Sequence, residues 1–246
     1  MDRIQNIYRT FIWTFHHFSD FVIPRFCVGC GAEHETFCEK CRAAAFRRGA
    51  NCLVCGARNA TGALCAGSCK KLAPSSLKNI FWAGSYDETI KNTVWQLKYK
   101  KRAELASPLG IFLADKWMER QKSYEPVSFI AVPIPLHPAK RTERGFNQAE
   151  LIAQTFSQRT NIEVALDILR KVKETGSQAK TANRADRLQN LKDAFAVNAD
   201  VLKKYDGKTI ILIDDVATTG ATLIHASSAL TSAGAKNIIG LVAAHG

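Results

Sequence analysis

Beyond Cys69 the chain has no cysteine: all eight lie between Cys27 and Cys69, in close pairs. Disulfide frameworks of secreted proteins do not usually show that arrangement, so metal ligands and a reducing compartment are expected instead. Acidic side chains are scarce, 22 against 34 lysines and arginines, which leaves a net charge of +12. A polyanionic partner is therefore favoured, whether nucleic acid, phosphorylated metabolite or anionic membrane surface, and charge alone does not choose among them. Long apolar runs are missing too. The residues through Ile23 are apolar but interrupted by Arg3, Arg9, His16, His17 and Asp20, which argues against a clean membrane span or cleavable signal and points to the cytoplasm.

What is present is a chain of 246 residues, 46% hydrophobic, which suits one medium domain plus a smaller module. Residues 1–24 read as an amphipathic helix: Ile4, Ile7, Tyr8, Phe11, Phe15, Phe18 and Val22 recur at helical spacing, and Pro24 ends it. Its apolar face either docks on the rest of the protein or meets a membrane surface or partner. Residues 25–72 show no sustained periodicity, as expected of a module organised by metal. Residues 73–125 read as a connecting or hood subdomain with a strand near 80–84 and a helix over 89–100. From 126 to 246 strand and helix alternate: strands at 129–132, 165–169, 210–213 and 238–243, helices at 147–157, near 185–191 and at 222–232. Such a βα series requires a parallel sheet with covered faces.

The strand at 210–213 delivers two adjacent carboxylates, Asp214 and Asp215, and the turn Val216-Ala217-Thr218-Thr219-Gly220-Ala221-Thr222 then opens a helix. The free N–H groups and positive end of that helix suit a phosphate, with Gly220 allowing close backbone approach and the threonines adding hydroxyl donors. Vicinal ribose hydroxyls are the natural match for the carboxylate pair, directly or through Mg²⁺. The two halves together imply a sugar phosphate. A second strand end, Val132 to Leu136, leads into a cationic, glycine-hinged loop, where Lys140, Arg141 and Arg144 would face pyrophosphate or a nucleic-acid backbone, or simply solvent. Residues 169–190, with Gly176 in their middle, are either a basic lid or an exposed connection. Trp82, Tyr86, Trp95 and Tyr99, beside Lys91, Lys98, Lys100, Lys101 and Arg102, either stack nucleic-acid bases or belong to the core, as aromatics at this spacing more often do.

Cys27, Cys30, Cys38 and Cys41 form one four-thiolate set, and Cys52, Cys55, Cys65 and Cys69 a second, at spacings that tetrahedral zinc uses. Gly29, Gly31 and Gly56 sit where tight knuckle turns need permissive backbone. Two structural Zn²⁺ ions are expected, paired consecutively, although interleaved pairing and an iron–sulfur cluster fit the same ligands. The three-residue gap between Cys65 and Cys69 makes the second site the less regular. Basic residues around the cysteines would either track a nucleic-acid backbone or form a solvated surface.

The nine residues from Asp214 to Thr222 resemble the phosphoribosyl-pyrophosphate signature of type I phosphoribosyltransferases. The resemblance implies an α/β fold, a type I phosphoribosyltransferase-like parallel sheet flanked by helices with a hood over the site. There Asp214 and Asp215 hold the ribose and Mg²⁺, and residues Ala217, Thr218, Thr219, Gly220, Ala221 and Thr222 hold the 5-phosphate. With the small N-terminal zinc-ribbon module, the runs Leu97-Lys98-Tyr99-Lys100, Pro133-Ile134-Pro135-Leu136-His137 and Arg144-Gly145-Phe146-Asn147-Gln148-Ala149 further resemble the ComF competence-protein family. That resemblance implies uptake and handling of single-stranded DNA in natural transformation, with phosphoribosyl pyrophosphate, single-stranded DNA, DNA-uptake proteins and the inner membrane surface as partners. The alternative is an active phosphoribosyltransferase acting on a nitrogen nucleophile. No residue identifies a nucleobase acceptor, and the catalytic residues are unassigned.

Overall fold

The computed structural model describes residues 26–33, 35–45, 77–121, 127–174, 191 and 193–245. The expected helix over 1–24, the cysteines Cys52, Cys55, Cys65 and Cys69, and most of the expected lid and of the helix near 185–191 lie outside the described residues.

Four strands make one parallel sheet in the order β1-β6-β5-β2: β1 (Leu77–Ser85), β2 (Phe129–Pro133), β5 (Thr209–Ala217) and β6 (Ile238–His245). Helices α2 (Glu88–Tyr99), α3 (Ala106–Gln121) and α5 (Gln148–Thr160) cover one face, and α7 (Ala221–Ser232) covers the other. Both faces being covered, β5 and β6 read as continuous apolar runs, as parallel strands must. The two short strands β3 (Leu169–Lys171) and β4 (Phe195–Val197) pair with each other, antiparallel, outside this sheet. The strand expected at 165–169 is thus displaced: Val164 makes only an isolated parallel bridge to Ala131, and pairing resumes at Leu169. Segment 77–121 supplies the edge strand of the main sheet and two of its covering helices.

Three further helices are short: α1 (Glu39–Ala45) in the cysteine module, α4 (Pro138–Arg144) and α6 (Ala199–Lys203). The loop expected to be glycine-hinged is therefore largely helix α4, begun by Pro138 at a first-turn position and closed by Gly145 in the left-handed region at φ 88. Among the described residues no helix is long and apolar enough to cross a membrane.

Alternation along β5 decides where the site falls. Ile210 and Leu212 pack with α7, whereas Ile211 and Ile213 pack with α2, α3 and α5. Continuing that period of two sends Asp214 towards the α7 side and Asp215 towards α2 and α5. On the latter side α3 and α5 approach closely at Gly110, where an added Cβ would stand 2.6 Å from Thr155 Cβ and 2.7 Å from the Ile152 carbonyl oxygen. Trp117 fills the same layer, wholly buried and edge-on to Phe129 with ring centroids 5.2 Å apart.

Candidate functional site

Both aspartates are buried, Asp214 at 8% and Asp215 at 2% exposure, so their charges need compensation. α2 provides it. Its N-terminus is fixed by Asp87, which accepts from the Ile90 amide at 2.9 Å, and its buried residues Ile90, Val94 and Leu97 seat it on the sheet. The next position, Lys98, reaches Asp215 with Nζ 2.5 Å from Oδ2. Burial would depress the Lys98 ammonium, but Asp215 and Asp214 outweigh it and hold its pKa above the usual lysine value.

The other oxygen of Asp215 accepts from Gln148 Nε2 at 3.3 Å, and Gln148 in turn accepts from Arg144. Asn147 caps α5, accepting from the Ala149 amide at 3.1 Å and donating to the Ile134 carbonyl at 3.0 Å. The run Arg144-Gly145-Phe146-Asn147-Gln148 thus ends one helix, starts the next and ties it to the β2 strand end. Burial alone would raise the Asp215 carboxyl, but Lys98, together with the hydrogen bonds from Asp214 and Gln148, holds it below the ordinary carboxylate value. Asp214 is pushed well upward by burial and by its neighbour Asp215. Two adjacent carboxyls with pKa values driven apart are a hallmark of functional sites.

Lys171 from β3 lies on the Asp214 side; burial lowers its pKa and Asp214 partly offsets this. Tyr86, half-buried, stands near Lys98 and Asp215, and burial raises its phenol against the pull of Lys98. Beyond the carboxylates Ala217 is buried, Thr218 exposed and Thr219 half-buried, and Gly220 caps α7 in the left-handed region at φ 70. Thr219 Oγ1 accepts from the Ala221 amide at 3.3 Å; Thr222 is half-buried in the first turn. The strand, turn and helix start thus place a carboxylate pair directly before a helix N-terminus.

The three basic residues singled out on the neighbouring segment divide. Lys140 is held by Glu143 at 2.6 Å and Arg141 by Glu150 at 2.5 Å, while Arg144 is linked through Gln148 to Asp215. In sequence Lys98 and Tyr86 stand out only in the aromatic and basic set and in the family motif, Gln148 only in the run after Arg144, and Lys171 only in the lid or connection over 169–190; none of them is assigned there to the carboxylate pair. The signal for Lys98 was available in outline, since a buried carboxylate pair demands a cation.

In the cysteine module the Sγ atoms of Cys27, Cys30, Cys38 and Cys41 all lie within 4.8 Å of one another. Tetrahedral zinc with Zn–S of about 2.3 Å puts its sulfurs about 3.8 Å apart, and Cys30 and Cys38 stand at 3.7 Å. Burial raises the Cys27 thiol, but the amides of Cys38, Cys30 and Gly29 outweigh it and bring it down to about 6. Cys41 is driven strongly upward by burial and by the other three sulfurs: four crowded thiolates require a cation. A Cβ on Gly29 would lie 2.8 Å from Cys41 Sγ and 2.9 Å from Thr89 Cγ2, so the knuckle needs glycine there. The four thiolates fit zinc and leave no open position, which makes the site structural.

These features define a class of protein, a zinc-ribbon head on a phosphoribosyltransferase-type body. Residues 18–70 match the double zinc ribbon domain and residues 142–245 the phosphoribosyl transferase domain. Competence protein F of Haemophilus influenzae is 31% identical over 189 residues, covering 76% of this chain and 81% of that protein. The DNA utilization protein YhgH of Salmonella typhi is 27% identical over 221 residues, 88% of this chain and 95% of that protein. Competence protein ComFC of Bacillus subtilis is 32% identical over 152 residues, 61% of this chain and 57% of that protein. The chain belongs to the ComF competence-protein family.

Proposed function

We propose that this chain serves DNA uptake and handling in natural transformation from the cytoplasmic side, binding phosphoribosyl pyrophosphate with Mg²⁺ at the carboxylate pair and single-stranded DNA on cationic surfaces. The competence and DNA-utilization names of its relatives support the process. The observation that carries the ligand is the buried pair Asp214 and Asp215 set immediately before the α7 N-terminus. Ribose hydroxyls would donate to the aspartates, and the 5-phosphate would rest on the amides and hydroxyls of residues 217–222. Arg144, poised beside Gln148, would meet the pyrophosphate.

The carboxylates are hard oxygen donors suited to Mg²⁺, but Lys98 already stands on Asp215 Oδ2. An ion brought in with the pyrophosphate would fit, and Asp214, the carboxylate that Lys98 does not hold, would be its protein ligand. When bound, the ion neutralises pyrophosphate charge.

The phosphoribosyl transferase match over residues 142–245 supports a second reading, transfer of ribose 5-phosphate to a nitrogen nucleophile with electrostatic stabilisation of the departing pyrophosphate. The test is one incubation of the zinc-loaded chain with phosphoribosyl pyrophosphate and Mg²⁺, with and without nucleobases and single-stranded DNA. Ligand binding and pyrophosphate release are both followed. The leading reading expects binding that Asp215→Asn abolishes and no acceptor-dependent release; acceptor-dependent release makes the chain an enzyme, and absence of binding refutes both.

A further inference from the structure

The outer face of α2 carries two aromatic side chains that the fold does not use. Ile90, Thr93, Val94 and Leu97 point into the protein, and the helical period then sends Trp95 and Tyr99 outward, 48% and 63% exposed. They lie one turn apart with ring centroids 6.3 Å from each other and planes tilted by 42°. Lys100 places Nζ 5.3 Å from the Trp95 ring centroid. Of the surrounding cations, Lys91 is paired with Glu88, Lys98 with Asp215 and Arg102 with Glu104. Lys100 and Lys101 have no carboxylate partner among the described residues. Tyr99 directly follows Lys98, the partner of Asp215, so the aromatic strip begins one position along α2 from the cation of the carboxylate site.

Single exposed aromatics are ordinary, but two in contact on one helix face make a patch of the kind that marks a contact site. The partner that suits planar rings bordered by unpaired cations is one with flat π-faces strung on a polyanion. We propose that Trp95 and Tyr99 form a stacking platform for successive bases of single-stranded nucleic acid, with Lys100 and Lys101 meeting the intervening phosphates. The platform rests on the single-strand-binding reading and gives it a location: the strand runs along α2 and passes the mouth of the carboxylate site. Stacking on aromatic faces tolerates any sequence, whereas phosphate contacts give the salt dependence.

The experiment titrates the zinc-loaded full chain with oligothymidylate and with an abasic strand of equal length, across a salt series, for the wild type, Trp95→Phe and the double variant Trp95→Ala/Tyr99→Ala. Oligothymidylate is expected to bind the double variant about tenfold or more weaker, with the slope of log affinity against log salt unchanged. Trp95→Phe should keep most of the affinity, and the abasic strand should not distinguish the proteins. In a Trp13→Phe background, where Trp82 and Trp117 are the other tryptophans and both are buried, quenching of tryptophan emission by oligothymidylate should fall sharply when Trp95→Phe is added. If the wild type binds oligothymidylate and the folded double variant binds it equally well, the platform is wrong while single-strand binding stands. If the wild type binds no single strand at any salt, the underlying reading fails first. If the double variant instead dissolves a dimer without changing DNA affinity, the face is a contact between copies and the proposal is overturned.

Discussion

Replacing Lys98 with methionine tests the account of the carboxylate site more directly than replacing either aspartate. Met keeps the length of the side chain and its apolar stem but removes the charge 2.5 Å from Asp215, a residue only 2% exposed. Removing one partner of a buried ion pair costs roughly 3–5 kcal/mol, because the surviving charge is stranded. A second route gives a similar figure. The variant escapes by protonating Asp215, and holding a proton at pH 7 on a group with an ordinary pKa of about 3.9 costs about 4 kcal/mol. For a chain of this size about 4 kcal/mol is a fall in Tm of roughly 8–16 °C. The pH dependence supplies the sharper check. In the wild type the Asp215 pKa is depressed, so its contribution is present above about pH 4 and disappears only as the pH falls through its folded value. In the variant Asp215 is protonated when folded and ionised when unfolded, so lowering the pH from 7 to 5 should recover about 2.7 kcal/mol of the deficit. Burial, the largest cause of the raised Asp214, is the same in both proteins. Chemical denaturation of both proteins across pH 5 to 7, with Lys98→Met/Asp215→Asn expected to restore most of the loss, measures this. A deficit under about 1 kcal/mol at pH 7, or one that does not change with pH, refutes the reasoning.

Gly29→Ala forces a Cβ against Cys41 Sγ and Thr89, so it should weaken zinc retention in a chelator competition while leaving α7 and the body strands protected in hydrogen exchange. Gly110→Ala drives a Cβ into the Ile152 carbonyl and Thr155; overpacking of this kind costs about 1–3 kcal/mol, to be read as a lower denaturation midpoint with unchanged slope. Asn147→Ala removes the α5 cap and the donor to the Ile134 carbonyl, a loss of about 1–3 kcal/mol, and should also weaken phosphoribosyl pyrophosphate binding because Gln148 loses its seat.

Features carried by short stretches of chain were legible in the sequence. The run of apolar residues ending in Asp214 and Asp215 specifies a buried strand, and Gly220 before Ala221 specifies the turn into α7. The first two cysteine pairs specify their own knuckle. Lys98 was not legible as the counter-ion of Asp215, because their meeting depends on β1 pairing with β6, about 160 residues further along the chain. Lys140 is paired with Glu143 one turn along α4, a local pattern, whereas Arg141 meets Glu150 across the junction of α4 and α5, which a run of sequence does not display. The four aromatics were read as one set, yet they divide. Trp82 is buried on β1 and Tyr86 half-buried beyond it, while Trp95 and Tyr99 face solvent. Periodicity alone separates the last two, since Ile90, Val94 and Leu97 fix which side of α2 is inside.

The position of α2 also explains how a metal module can matter to a site whose ligands it does not supply. Asn92 on α2 donates to the Val28 carbonyl at 3.0 Å, Thr89 lies against Gly29, and Cys27 and Phe37 belong to the same apolar cluster as Ile90, Val94 and Leu97. The knuckle that the thiolates close is therefore one wall of the seat in which α2 sits, and two turns further along that helix Lys98 meets Asp215. The knuckle is too small to hold its shape by apolar burial, so its rigidity comes from the metal. Loss of zinc then loosens the wall against the N-terminal half of α2, while Ile90, Val94 and Leu97 on the sheet and the Lys98 ion pair continue to hold the helix. On the proposed function, zinc removal should accordingly lower affinity for phosphoribosyl pyrophosphate by loosening the support of Lys98, without altering the carboxylates or the turn proposed to meet the ligand.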